Sequence, residues 1–230
     1  MHVAIIPCYG YQNSLDSLLA VLQEYPQLHL LIIDDGSQPN IRANGVEIIR
    51  HPINKGYGAA QKTGYRRALE LKAQTVFLIH GDGQYSAPHM IKASQTIDAD
   101  ILLGSRMIHP KRKDMPYWRR AGNRFLTQLA NRHFRVHYTD LHTGARIFQR
   151  SFLQTVPFEQ FSDDFVFDQQ LLVWAIQKGA SIQEFPIPPL YSETISSIDP
   201  IPSIRYGLGC LWTIYSSSLR SIDPNTPRSR

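Results

Sequence analysis

The stretch "VFLIHGDGQYSAP", residues 76–88, runs four apolar residues into a histidine, an aspartate bracketed by glycines, and a glutamine. Strands buried on both faces read as unbroken apolar runs, and "TVFLI" (75–79) has the length, β-branching and aromatic content of one. The chain is therefore expected to turn at His80. In open α/β sheets ligands sit outside the carboxyl ends of the strands, which is where His80, Asp82 and Gln84 fall, facing one way by alternation. Hard divalent cations take carboxylate and carbonyl oxygens, and Mn²⁺ also accepts imidazole. The trio reads equally as a metal site or as a Gly-rich turn whose Asp caps a helix beginning near Pro88.

Outward from this stretch, strand and helix alternate. "HVAIIP" (2–7) reads as a strand, "NSLDSLLAVLQEYP" (13–26) as a helix capped by Asn13, and "LHLLIID" (28–34) as a second strand. "VEIIR" (46–50) is a short strand, "YGAAQKTGYRRALELK" (57–72) a helix, residues 88–97 another, and "DILLG" (100–104) a strand. Repeated βα units imply an α/β fold with a mostly parallel sheet and helices on both faces. Past residue 105 the pattern loosens. "HPKRKDMP" (109–116) reads as an exposed loop, "YWRRAGNRFLTQLANRHF" (117–134) as an amphipathic helix and "TGARIFQR" (143–150) as a strand. The helix "DFVFDQQLLVWAIQKG" (164–179) and the strand "SIQEFPI" (181–187) follow. In "IPSIRYGLGCLWTIYSSSL" (201–219), Leu208, Leu211, Trp212, Tyr215 and Leu219 form one helical stripe, which core packing explains more readily than membrane docking. Residues 223–230 are expected to be disordered.

A chain of 230 residues with 43% hydrophobic and 19% charged residues carries a real core and is not intrinsically disordered. Two cysteines, Cys8 and Cys210, both in apolar surroundings, fit a reduced, cytoplasmic compartment. No signal peptide and no run of eighteen apolar residues is expected, so any membrane contact would be peripheral. The net charge of +5 is unevenly placed: residues 106–135 hold nine Lys or Arg against Asp114 alone. Such a field suits phosphates, an anionic membrane face or nucleic acid, with a merely solvated helix as the plain alternative. No nucleic-acid module accompanies it, so nucleic acid is not an expected partner.

Three further motifs stand at strand ends: "IIPCY" (5–9), "IIDDGS" (32–37) and "NKGYGAAQKTG" (54–64). Asp34 and Asp35 are placed to accept hydrogen bonds from a uracil or guanine ring or a ribose, while Gly56 and Gly58 let backbone amides approach a phosphate. A tight turn with an Asp cap explains "DDGS" alone, but four such coincidences at four strand ends favour a shared crevice.

Together with "HGDGQYSAP", "ADILLGSRM", "DLHTGARIF" and "EFPIPPLY", these motifs resemble, in order, those of family 2 inverting glycosyltransferases, in the branch of dolichyl-phosphate mannose and polyprenyl-phosphate sugar synthases. The resemblance covers residues 2–192 and implies the GT-A fold as a single domain, a nucleotide-diphosphate-sugar donor linked to UDP or GDP, and Mg²⁺ or Mn²⁺. It implies a nucleotide-binding half at 1–104 and an acceptor-side half at 105–192, with 193–222 as a helical extension. The donor side would draw on Pro7, Tyr9, Asp34, Asp35, Asn54, Gly56, Gly58 and Gly81. Where the family has Asp-x-Asp this chain has His80 and Asp82; Asp82 would hold the metal with His80 and Gln84, and the imidazole would tilt the site toward Mn²⁺. Arg106, in "GSR", would neutralise the leaving diphosphate. Asp140, Thr143, Gly144 and Arg146 match the element that shapes the sugar and acceptor side, with Ala145 in place of a usual aromatic.

An inverting transfer to a hydroxyl needs a general base, whereas a lipid phosphate is already anionic. Asp163 and Asp164 read first as cap and first-turn residues of their helix, and Asp168 as the base candidate for a hydroxyl acceptor. Lys111, Arg112 and Lys113, with Arg119, Arg120, Arg124 and Trp118, lie where the family receives its acceptor, expected to be a polyprenyl phosphate. Two rivals remain. A nucleotidyltransferase would carry a basic Gly-rich loop after the first strand, and "PCYGYQNS" (7–14) has no Lys or Arg. A catalytically silent nucleotide-sugar sensor draws its support from His80.

Overall fold

The computed structural model describes residues 1–10, 12–109, 115–188, 190 and 200–220. Seven strands form one sheet: β1 (His2–Cys8), β2 (Leu28–Asp34), β3 (Glu47–Arg50), β4 (Thr75–Leu78), β5 (Ile101–Ser105), β6 (Arg146–Gln149) and β7 (Ile182–Pro186), in the order β3-β2-β1-β4-β6-β5-β7. All pairings are parallel except those of β6, which is antiparallel to both β4 and β5. Both faces are covered, and the alternating residues of β1 divide between two cores. Val3 and Ile5 join Tyr65, Phe148, Phe167 and Leu171 on one side, while Ala4 and Ile6 join Leu15, Leu22, Met90 and Phe185 on the other.

The helices are α1 (Gln12–Leu22), α2 (Tyr57–Glu70), α3 (Ala87–Thr96), α4 (Tyr117–Phe134), α5 (Arg150–Leu153), α6 (Phe167–Gln177) and α7 (Pro200–Arg220). Helix α1 begins one residue before Asn13, so Asn13 lies inside it rather than capping it, and it stops four residues short of Pro26. The one-turn α5 and the 3-10 turn Phe158–Gln160 are too short to leave a periodic trace and had no counterpart in the sequence reading.

Two further expectations are overturned. Helix α6 starts at Phe167, behind an N-cap at Val166, so Asp163 and Asp164 do not cap it. The carbonyl of Asp163 instead accepts the Gly58 and Ala59 amides at the start of α2, at 2.7 and 3.2 Å, and its carboxylate meets Lys62 Nζ at 2.7 Å. In α7, Leu208, Trp212 and Tyr215 are 60–66% exposed, whereas Cys210, Thr213 and Ile214 are buried. Three members of the stripe read as core thus face outward, and Leu211 is half-buried. Both sides of this helix are apolar, so the period located a stripe but not the buried one. The basic triplet Lys111, Arg112 and Lys113, the 192/193 boundary and the tail 223–230 lie outside the described residues.

Because β6 runs backwards between β4 and β5, its first residue, Arg146, stands opposite Leu78 and Leu103. The segment leading into β6, residues 140–145, is thereby delivered to the carboxyl ends of the parallel strands. Helix α2 lies close on β1: a Cβ at Gly64 would overlap Ile5 Cγ2. Gly64→Ala is expected to cost about 1–3 kcal/mol through overpacking, read as a lowered urea midpoint with an unchanged slope.

Candidate functional site

The strand ends open into one cleft of about 780 Å³. Its walls come from Pro7, Cys8 and Tyr9 after β1, Asp35 after β2, and Asn54, Gly56 and Tyr57 at the start of α2. His80, Gly81, Asp82, Gln84 and Tyr85 follow β4, and Arg106 follows β5. The far wall is Met115, Trp118, Arg119, Gly122, Asn123 and Leu126, joined by His142, Gly144, Asp164, Phe165, Asp168 and Tyr206. Residues 80–84 form a turn rather than an extension of β4, with Gly83 at φ +70°. His80, Asp82 and Gln84 still reach the same cleft.

The paired aspartates of "DDGS" have separate fates. Asp34 is fully buried: it accepts the Ser37 amide at 2.9 Å, the Ile41 amide at 3.2 Å and Arg50 Nε at 2.8 Å. Burial pushes its pKa up, but these hydrogen bonds prevail and hold it below the usual carboxylate range. It braces the loop and does not line the cleft, contrary to its expected donor-binding role. Asp35 does line the cleft, receiving His51 Nδ1 at 2.6 Å and the amides of Lys55 and Gly56 at 2.9 Å each. With the Gly58 amide given to Asp163, the glycine loop spends its donors inside the protein. Gly58 is absent from the cleft wall, and its expected phosphate contact is not made available.

A polar network runs from the cleft wall into the interior beneath it. Tyr57 shares a 2.6 Å hydrogen bond with His80 Nε2 and donates to Asp168 Oδ2 at 3.3 Å. Gln61 donates to Asp168 Oδ1 at 2.8 Å and accepts from Tyr65 at 2.6 Å. Arg146, 1% exposed, donates to the carbonyls of Thr143 and Asp168 at 3.0 and 2.9 Å, and its Nη1 is 3.5 Å from Asp168 Oδ1. Arg146 is thus a support beneath the floor and not a cleft residue. Thr143 is likewise buried, its hydroxyl accepting the Ala145 amide. Burial drives Tyr57 well above its ordinary pKa. Burial also pulls His80 below its own, despite the nearby Asp82 and Asp168 carboxylates. The His80 ring occupies space left by a missing side chain, since a Cβ on Gly144 would fall within it.

Arg106 lines the cleft, but Asp140 holds its guanidinium through Nε at 2.8 Å and Nη2 at 3.0 Å, and Nη2 also meets the His142 carbonyl. Its charge is largely met inside the protein, so its weight as the neutraliser of a leaving group is reduced, and Asp140 serves it from outside the cleft wall. Arg119 lies over Trp118 on the opposite wall. Arg120 stacks on Tyr117 and Arg124 is exposed, and neither lines the cleft. Cys8 and Cys210 are buried thiols pushed up to about 12 by burial, which suppresses thiolate chemistry.

Among the described residues, no group of three His, Cys, Asp or Glu side chains is close enough to hold a metal. Asp82 is the one carboxylate of the 80–84 turn. Its Oδ1 accepts the Gln84 amide at 3.0 Å, and its other oxygen has no partner among the described residues. Several contributors were not singled out from sequence: Tyr57, Gln61, Tyr85, Phe165, and the His142–Tyr206 pair, whose Nδ1 and hydroxyl are 2.9 Å apart. Tyr206 belongs to α7, four residues before Cys210 on its buried face, so the C-terminal helix supplies part of the wall. No helix among the described residues is long and apolar enough to cross a membrane.

The chain belongs to glycosyl transferase family 2, whose model matches residues 3–156, and it is a glycosyltransferase with the GT-A fold. One relative, the UDP-N-acetylglucosamine–dolichyl-phosphate N-acetylglucosaminyltransferase of Methanococcus voltae, is 29% identical over 217 residues, 82% of this chain and 85% of that protein. The polyprenol monophosphomannose synthase of Mycolicibacterium smegmatis is 27% identical, covering 80% and 76%. Among solved structures, glucosyl-3-phosphoglycerate synthase from Mycobacterium tuberculosis, bound to Mn²⁺, UDP and glucosyl-3-phosphoglycerate, shares the fold. Its TM-score is 0.67 at 13% identity, covering 94% of this chain and 79% of that one.

Burial depresses His142 from 6.5 to about 4. An imidazole that resists protonation in the fold leaves its contribution intact above pH 6.5, and that contribution is lost as pH falls toward about 4. The loss is on the order of 3 kcal/mol. Denaturant titrations across that window should show a shallower acid slope for His142→Gln than for the wild type.

Proposed function

We propose that this glycosyltransferase is an inverting enzyme that moves a hexose from a nucleoside-diphosphate sugar to a polyprenyl phosphate at a membrane surface. The observation that carries the acceptor class is the condition of Asp168. Its carboxylate takes hydrogen bonds from Gln61 and Tyr57 and lies 3.5 Å from the Arg146 guanidinium. A carboxylate so engaged is a poor general base, which an alcohol acceptor would require and a phosphate acceptor would not. The phosphate oxygen attacks the sugar C1 in line; the bond from C1 to the nucleoside diphosphate breaks with its electron pair, and no proton changes hands.

The walls support the same reading. A lipid phosphate brings an anion and an apolar chain together. Trp118, Met115 and Leu126 offer apolar contact beside Arg119, and α4 contains no acidic residue. Outward-facing Tyr117, Trp118 and Phe125 on α4, with Leu208, Trp212 and Tyr215 on α7, suit a peripheral seat on an anionic bilayer. The names of the Methanococcus voltae and Mycolicibacterium smegmatis relatives, with dolichyl phosphate and polyprenol monophosphate in them, agree with this acceptor. On the donor side, Asp35, Pro7, Tyr9, Asn54, Gly56 and Gly81, which line the cleft, would receive the nucleotide, and Arg106 would face the diphosphate.

A divalent cation fits Asp82. Mg²⁺ and similar hard ions are commonly held by one or two carboxylates plus substrate phosphates and retain several waters, so a lone carboxylate with Gln84 beside it is a sufficient protein share. When bound, the cation supplies positive charge against the donor's phosphates. His80 acts in this reading as the partner of Tyr57, since its Nε2 is committed there.

Transfer from UDP- and GDP-hexoses to polyprenyl phosphate in mixed micelles tests the reading. Loss of a working base costs about 10²–10⁴ in rate. Asp168→Asn and Asp164→Asn, the second removing the exposed carboxylate at the rim, should each lower kcat less than about tenfold. A collapse of Asp164→Asn, a collapse of Asp168→Asn with its urea midpoint unchanged from the wild type, or turnover confined to alcohol acceptors would establish hydroxyl chemistry instead. Asp82→Ala should abolish the metal-dependent part of donor affinity, measured by calorimetry with Mn²⁺ and with chelator.

A further inference from the structure

We infer that Asp164 and Phe165 form the subsite for the transferred hexose, the phenyl ring covering the C–H face of the pyranose and the carboxylate accepting from its hydroxyls; the inference rests on the donor reading above. Phe165 lines the cleft and is 48% exposed. One face of its ring is occupied, because it stacks on Tyr57 with centroids 5.1 Å apart and planes inclined by 23°. Its exposed surface therefore lies on the side away from Tyr57. The Asp164 amide meets Ser162 Oγ at 3.1 Å, but its exposed carboxylate, also at the cleft, has no hydrogen-bond partner among the described residues.

The two side chains stand at the apex of a segment braced on both sides. Before them, the Ser162 amide donates to Gln170 Oε1 at 2.6 Å, and Asp163 holds α2 through its carbonyl and carboxylate. After them, the Asp164 carbonyl accepts the Phe167 amide at 3.1 Å, and Val166 packs so closely on α7 that a Cβ at Gly209 would overlap its Cγ2. Tyr57, the ring beneath, is itself fixed by its bonds to His80 and Asp168. A surface held this firmly loses little freedom when a ligand lies on it.

The chemistry of the pair selects among the parts of the two substrates. A carboxylate repels a diphosphate or a lipid phosphate, and an isoprenoid chain has no donor to give it. A pyranose has both an apolar face of C–H bonds and hydroxyl donors around its rim, which an aromatic ring and a carboxylate satisfy together. The nucleobase is the other uncharged group, and in the donor reading the wall of Pro7, Tyr9 and Asp35 receives the nucleotide. Location agrees: Tyr57, under Phe165, bonds His80, two residues before Asp82, where the phosphate that bears the hexose would be held.

The test is calorimetric titration of the full chain with UDP, UDP-glucose and UDP-N-acetylglucosamine, and with GDP and GDP-mannose, each with Mn²⁺, for the wild type, Phe165→Ala and Phe165→Trp. In the set that the wild type binds, Phe165→Ala should weaken the nucleotide sugar about three- to tenfold, the scale of one aromatic contact, and leave the nucleoside diphosphate within about twofold. Phe165→Trp keeps a flat ring and should stay close to the wild type for both. Equal weakening of nucleotide and nucleotide sugar would put Phe165 against the base and overturn the inference. Unchanged nucleotide-sugar affinity would overturn it as well, and a raised KM for polyprenyl phosphate would then put the ring against the lipid. Asp164→Ala decides the matter should Phe165→Ala fail to fold: it should weaken the nucleotide sugar alone, and an unchanged or tighter nucleotide sugar would overturn the inference. Binding of neither set by the wild type would instead remove the donor reading, and this inference with it.

Discussion

A guanidinium buried in a protein interior must be met by hydrogen bonds and opposing charge, because its desolvation is otherwise prohibitive. Arg146 imposes that condition at the centre of this molecule. Its donors are taken by carbonyls of the loop entering β6 and of the first turn of α6, and Asp168 stands opposite its charge. Asp168 in turn is gripped by Gln61 and Tyr57 of α2, and Tyr57 reaches His80 at the end of β4. Four segments far apart in sequence are thus tied to one cation, and the cleft floor takes its shape from that tie.

The same tie limits the chemistry. Carboxylates are plentiful around the cleft, but those with buried partners are occupied in holding loops together: Asp34 by Ser37, Ile41 and Arg50, Asp140 by Arg106, and Asp168 by α2. Asp82, with one oxygen uncommitted, and the exposed Asp164 are the exceptions. An enzyme with its acids engaged in this way is better suited to reactants that bring their own charge than to alcohols that need a proton removed.

Much of the frame was legible because burial on both faces writes unmistakable apolar runs. The strands at 2–7, 28–34 and 75–79 and the helix at 117–134 appear within a residue of their expected bounds. Which members of each polar cluster face the ligand was not legible. The adjacent Asp34 and Asp35 look alike in sequence, and only the placement of Arg50 and Ile41 turns one of them inward. The acidic pair at 163–164 invited a dipole argument for α6, whereas a backbone carbonyl, invisible to any side-chain pattern, serves α2. In α7 apolar residues on both sides gave the period two solutions.

The bond from the Asp163 carbonyl to the Gly58 and Ala59 amides joins positions separated by more than a hundred residues. The first amides of α2 therefore have their native partner only in a chain that extends past residue 163. The same dependence holds for β4, whose edge next to β6 is open without residues 146–149. The first hundred residues carry one side of the cleft yet lack the contacts that close it, and on their own they would present an unpaired strand edge.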